Sequence, residues 1–170
     1  EIPNNPSFPF NTNNFTISFQ MKADSQEGTI IEKYNYMSNG PNNHGFYIRL
    51  YGNELNVAIS DSPSNNYIYT NIENYLNSEW ITVSLSCVWG EQATIYINND
   101  SIDAISMENI VESIETSGAM YIGNEWNNGY PFNGHLDNIY IWDIALSLEQ
   151  IEQYTNCPPT GDEEGLFGYW

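Results

Sequence analysis

Residues 124–130 place Asn124, Trp126, Asn127, Asn128 and Tyr130 on one short stretch with no helix or strand periodicity. An indole offers a flat apolar plate for the C–H face of a sugar ring, and amides and carboxylates bond the hydroxyls around it. The stretch therefore has the composition of a loop that binds sugar. A second Asn-rich segment, 35–44, carries Tyr36 and His44 with Asn42 and Asn43 and could share its rim. The competing reading is that Trp126 and Tyr130 pack on the neighbouring loop. Acid–base or nucleophilic chemistry has much less to work with. His44 and His135 are far apart in sequence and neither sits beside an evident nucleophile. The chain has no Gly-rich phosphate loop, cysteine cluster or convincing Ser/His/Asp set.

The charge balance removes whole classes of partner. Three basic residues (Lys22, Lys33, Arg49) stand against 22 acidic ones in 170, a net charge of -19. Such a surface repels phosphate backbones and anionic lipid, so neither nucleic acid nor a membrane surface is an expected partner. It also repels itself, and salt or divalent cations should ease it. No apolar run approaches the roughly 20 residues of a membrane span. With neither an initiator Met nor a signal peptide, the sequence reads as a processed soluble segment. Its 13 Tyr and 5 Trp, with few Lys, match an extracellular binding module better than a cytosolic enzyme. Cys87 and Cys157 permit one intramolecular pairing: a disulfide if the protein is exported, otherwise two thiols with Cys87 a small core residue.

The elements that must position these residues are short strands. Phe15, Ile17, Phe19 and Met21 alternate with Thr16, Ser18, Gln20 and Lys22, a half-buried strand over 15–22. Further strands are predicted at 29–34, 45–51, 55–60, 67–70, 80–87, 93–97, 101–105, 119–123, 134–142 and 166–170. Gly52-Asn53 and 98–100 read as hairpin turns. Residues 107–117 read as a loop despite Ile110, Val111 and Ile114. Ser147 and Gln150 form a capping box opening a two-turn helix over 148–154. In 134–142, Ile139 and Ile141 alternate with Tyr140 and Trp142, predicting a strand with one face on a core and the other lining a groove. The sum is all-β: a two-sheet antiparallel β-sandwich with one short C-terminal α-helix.

Five segments in order carry a resemblance: 14–19, 79–83, 93–99, 121–124, and 132–142 with Ala145-Leu146-Ser147. Together the chain resembles laminin-G-like, concanavalin A-like jelly-roll domains of the kind found in tandem in large secreted bacterial proteins. The resemblance implies a jelly roll spanning 1–170, with 155–165 a connector toward a following repeat and 166–170 a terminal strand. That strand could fill the place of a missing first one. The implied role is a non-catalytic, secreted or cell-surface module that binds a glycan or a cell-surface protein, beside neighbouring repeats of the same chain. The alternative is a spacer or protein-interaction repeat with no glycan site. Relatives that hydrolyse glucans carry a Glu-x-Asp-x-x-Glu strand, which this sequence lacks, so no enzyme activity is expected. Ca²⁺ is the implied cofactor, since an acidic, Asn-rich rim supplies the six to eight oxygens it takes. Asp137 is the resemblance's first candidate ligand, with Asp143, Asp24 and Glu1 as possible partners; alternatively Asp137 only satisfies backbone N–H groups.

Overall fold

In a computed structural model of the chain, residues 1–3, 8–35, 43–61 and 64–170 are described. The strands are β1 (Phe15–Ala23), β2 (Glu27–Asn35), β3 (His44–Tyr51), β4 (Glu54–Asp61), β5 (Asn65–Asn71), β6 (Ile81–Val88), β7 (Gln92–Ile97), β8 (Asp100–Ser106), β9 (Tyr121–Ile122), β10 (Gly134–Trp142) and β11 (Leu166–Tyr169). Helix α1 covers Leu148–Asn156, and a single 3₁₀ turn lies at Glu73–Tyr75. The strands form a six-stranded sheet in the order β11-β10-β1-β6-β7-β8 and a five-stranded sheet in the order β5-β4-β3-β2-β9. All strand pairings are antiparallel. The result is the expected two-sheet jelly roll.

Side-chain alternation builds the core between the sheets. Phe15, Ile17, Phe19 and Met21 of β1 are wholly buried, as are Phe46, Ile48 and Leu50 of β3, in one cluster with residues from both sheets. Each such side chain contributes roughly 1.5–3 kcal/mol relative to exposure. The 107–117 segment is a loop, and Met107, Ile110 and Ile114 plug it into this core while Val111 points outward. Buried Asp61 staples that loop down by accepting from the backbone N–H groups of Val111 at 2.7 Å and Glu112 at 2.9 Å.

Strand β10 is an inner strand between β11 and β1, and Ile139 and Ile141 face the core as predicted. The groove expected on its other face is filled instead. Helix α1 lies across it: Trp142 stacks on Tyr154 at 4.6 Å, and Tyr140, Trp142, Leu146 and Ile151 form a second buried cluster. The capping box is present, with Ser147 accepting from Gln150 N–H and Gln150 accepting from Ser147 N–H. Cys87 is buried in β6 and Cys157 is exposed beyond α1, so the two are free thiols and the disulfide alternative is not realised. Burial pushes the Cys87 thiol up to about 12.

Candidate functional site

Among the described residues no helix covers the outer face of the five-stranded sheet, and the same alternation that buries Phe46, Ile48 and Leu50 turns Tyr47, Arg49 and Tyr51 onto it. Strand register extends these into rows. Arg49 stands opposite Asn56, which stands opposite Tyr69, while Tyr47, Ala58 and Tyr67 align one row along. Tyr67 and Tyr69 stack at 6.1 Å on edge strand β5. Tyr47, Arg49, Tyr51, Asn56, Tyr69, Glu125 and Tyr130 enclose an open hollow of about 400 Å³. A second, of about 270 Å³, lies beside it between Tyr34, Tyr121, Trp126 and the 117–119 backbone.

Arg49 organises the space between them. Its Nη2 reaches Glu32 Oε2 at 2.6 Å and Glu125 Oε2 at 3.1 Å, and its guanidinium lies 4.2 Å over the Tyr47 ring. The Glu32 side chain has no exposed surface. Burial raises its carboxyl above the ordinary carboxylate range despite the opposing pull of Arg49. The other Glu32 oxygen accepts from the Trp126 backbone N–H at 3.4 Å, so one carboxylate ties the arginine to the 124–130 loop. Burial raises the Tyr47 hydroxyl to about 12, and the ring stays neutral at ordinary pH.

Asn56 lies in the floor of this face, between Arg49 and Tyr69. It is 8% exposed and lines the larger hollow, and its amide nitrogen has no hydrogen-bond acceptor among the described residues. A buried amide donor without a partner costs free energy, and a native fold keeps few of them.

The predicted loop divides by role. Trp126 is half exposed and lines the smaller hollow, and Tyr130 lines the larger one, its hydroxyl donating to Leu50 O at 3.3 Å. The asparagines shape the loop: Asn124 Nδ2 donates to Asn128 Oδ1, Asn124 Oδ1 accepts from Glu125 N–H, and Asn127 Oδ1 accepts from Gly129 N–H. These are the side-chain turns that make Asn frequent in loops. His44 opens β3, paired with Asn35 and Asp61, and lines neither hollow. Tyr36 lies outside the described residues.

The carboxylates proposed for calcium do not converge. Asp137 Oδ1 accepts from Asn138 N–H at 2.8 Å, at the bulge where Asn138 takes a φ of 50°, so it does the backbone work of the alternative reading. Asp143 follows the far end of β10, roughly 20 Å along the strand. Asp24 lies by His135 at 3.7 Å, and Glu1 precedes the Ile2–Met120 bridge. Among the described residues no group of three His, Cys, Asp or Glu could hold a metal ion. The residues named for calcium do not fit it, and no chemistry is derived through the ion.

Tyr47, Arg49, Tyr51, Asn56, Tyr69, Glu32 and Glu125 were not among the sequence candidates. The available signal was in the strands: aromatic residues at the polar positions of 45–51 and 67–70, where solvent-facing side chains are ordinarily small or charged.

Two stacked antiparallel sheets define the class as a jelly-roll β-sandwich. The chain belongs to the concanavalin A-like lectin/glucanase superfamily, whose laminin-G type model matches residues 1–152. Among solved structures, a proposed carbohydrate-binding protein of Bacteroides ovatus superposes with a TM-score of 0.71 at 18% identity, covering 94% of this chain and 45% of that one. The binding domain of botulinum neurotoxin serotype D gives 0.65 at 16%, covering 90% and 38%. The binding domain of Paraclostridial Mosquitocidal Protein 1 gives 0.64 at 20%, covering 91% and 39%. The chain thus spans less than half the length of these solved chains. No curated protein matches. No helix of the described residues is long and apolar enough to cross a membrane.

Proposed function

We propose that the chain is a non-catalytic carbohydrate-binding module of a secreted or cell-surface protein, and that its glycan lies on the outer face of the five-stranded sheet. The observation that carries this is the open hollow of about 400 Å³ walled by Tyr47, Tyr51, Tyr69 and Tyr130, with Arg49, Asn56 and Glu125 among its lining. Tyrosine faces take the apolar side of a pyranose ring, and the tyrosine hydroxyls and Glu125 at the rim can bond its hydroxyls. Membership of the lectin-like superfamily supports the reading, as does the likeness to a proposed carbohydrate-binding protein. Arg49 is braced by two carboxylates and serves to hold the floor and the Trp126 loop in place. Calcium has no part in the reading.

A glycan array probed with the wild type and with Asn56→Ala and Tyr69→Ala, each shown to be folded by circular dichroism, tests it. Hits that weaken at least tenfold in both variants are expected. Hits that survive both would move the site elsewhere, and a blank array for the wild type would favour the spacer or protein-interaction reading.

A further inference from the structure

We propose that the ligand is a neutral oligosaccharide, long enough to lie across both hollows over the Glu125–Trp126 ridge, and that the face rejects acidic sugars. This rests on the reading of the outer face as a glycan site and specifies its substrate class.

The charge argument covers every Lys and Arg of the chain, of which there are three. Lys22 belongs to β1 of the other sheet. Lys33 is buried and its ammonium donates to Thr116 O at 2.9 Å and Gly118 O at 2.7 Å. Arg49 is on the face, but Glu32 and Glu125 hold it from two sides. With Glu32 ionised, those two carboxylates and Arg49 sum to one negative charge, and Glu27 adds another close to Tyr130. A uronate or sialate carboxylate would enter this field with no unengaged cation to meet it, within a molecule of net charge -19. A neutral hydroxyl brings no such penalty.

The length argument is geometric. The two hollows adjoin: Tyr47 walls one and Tyr34 the other, with ring centroids 5.4 Å apart, and consecutive residues Glu125 and Trp126 line one each. Trp126 is 53% exposed at this crossing, where an indole can support a sugar unit between the hollows. A single sugar ring fills one hollow and leaves the other unused.

Isothermal titration calorimetry tests the proposal with ladders of one to six units of gluco-, galacto- and manno-oligosaccharides, their uronate counterparts, and a sialylated lactose. The best ligand should be neutral and gain at least tenfold in affinity from disaccharide to hexasaccharide. Its uronate counterpart should bind at least tenfold more weakly at about 20 mM salt, with the gap closing toward about 500 mM. Glu125→Gln should narrow the gap; an unchanged gap would remove this carboxylate from the discrimination. A uronate or sialylated ligand that binds as tightly as the neutral one overturns the selectivity, and a monosaccharide that binds as well as the hexasaccharide overturns the two-hollow geometry. Both of those outcomes leave the glycan reading standing. Absence of heat with every probe contradicts that reading and this one together.

Discussion

Arg49 sets the electrostatics of the outer face because Glu32 beneath it has no exposed side-chain surface. Removing one partner of a buried pair strands the other, so Arg49→Ala should cost about 3–5 kcal/mol in urea denaturation at pH 7. The cost should depend on pH with a definite sign. A carboxyl whose folded value is raised binds a proton in the native state that the unfolded chain has already released. Stability therefore falls as pH rises from the ordinary carboxylate range through the raised value. Without Arg49 the pull that opposes burial is gone and that window widens, so the variant should recover stability as pH is lowered toward about 4.5. A penalty that is flat with pH would show that Glu32 is not the stranded group. At this scale little was legible in the sequence. Arg49 and Glu32 lie 17 positions apart and meet because β2 pairs with β3, and Asn56 has its role only from its place between Arg49 and Tyr69.

Helix α1 and strand β3 shape the outer faces of the two sheets. The helix covers Tyr140 and Trp142 on the outer face of the six-stranded sheet, so Ser147→Ala should cost about 1 kcal/mol through the lost cap. Ile151→Ala should cost about 2–5 kcal/mol through the cavity beneath the helix. Thermal melts would measure both, and the near-ultraviolet dichroism of stacked Trp142 should report whether the helix remains seated. On the other sheet, Gly45 pairs with Tyr34 at a φ of 111°, and a Cβ there would collide with the Lys33 carbonyl. Gly45→Ala should therefore loosen the β2–β3 pairing under Tyr34 and Tyr47 and lower the melting temperature; an unchanged melt would contradict that contact. The elements themselves were largely legible, since period-two alternation and turn residues are local signals. Which strand face α1 would cover was not. The alternation that makes Tyr140 and Trp142 a second face is the same whether a helix or a ligand fills it, and the helix begins six residues later in the chain.

At the scale of the whole molecule the net charge of -19 acts everywhere at once. Raising monovalent salt from about 10 to 150 mM should raise the melting temperature by screening self-repulsion. Calcium chloride at matched ionic strength should add nothing, and a rise specific to calcium would contradict the dispersed placement of Asp137, Asp143, Asp24 and Glu1. The central claim is that a glycan seats on the tyrosine face, in the hollow that Asn56 lines, and amide resonances around that hollow report it directly. In a ¹H–¹⁵N titration with the best neutral oligosaccharide, the Asn56 side-chain NH₂ signals should shift together with the Glu125 and Trp126 backbone amides and the Trp126 indole N–H. Shifts confined to the α1-covered sheet, or an Asn56 signal unmoved at saturation, would contradict it.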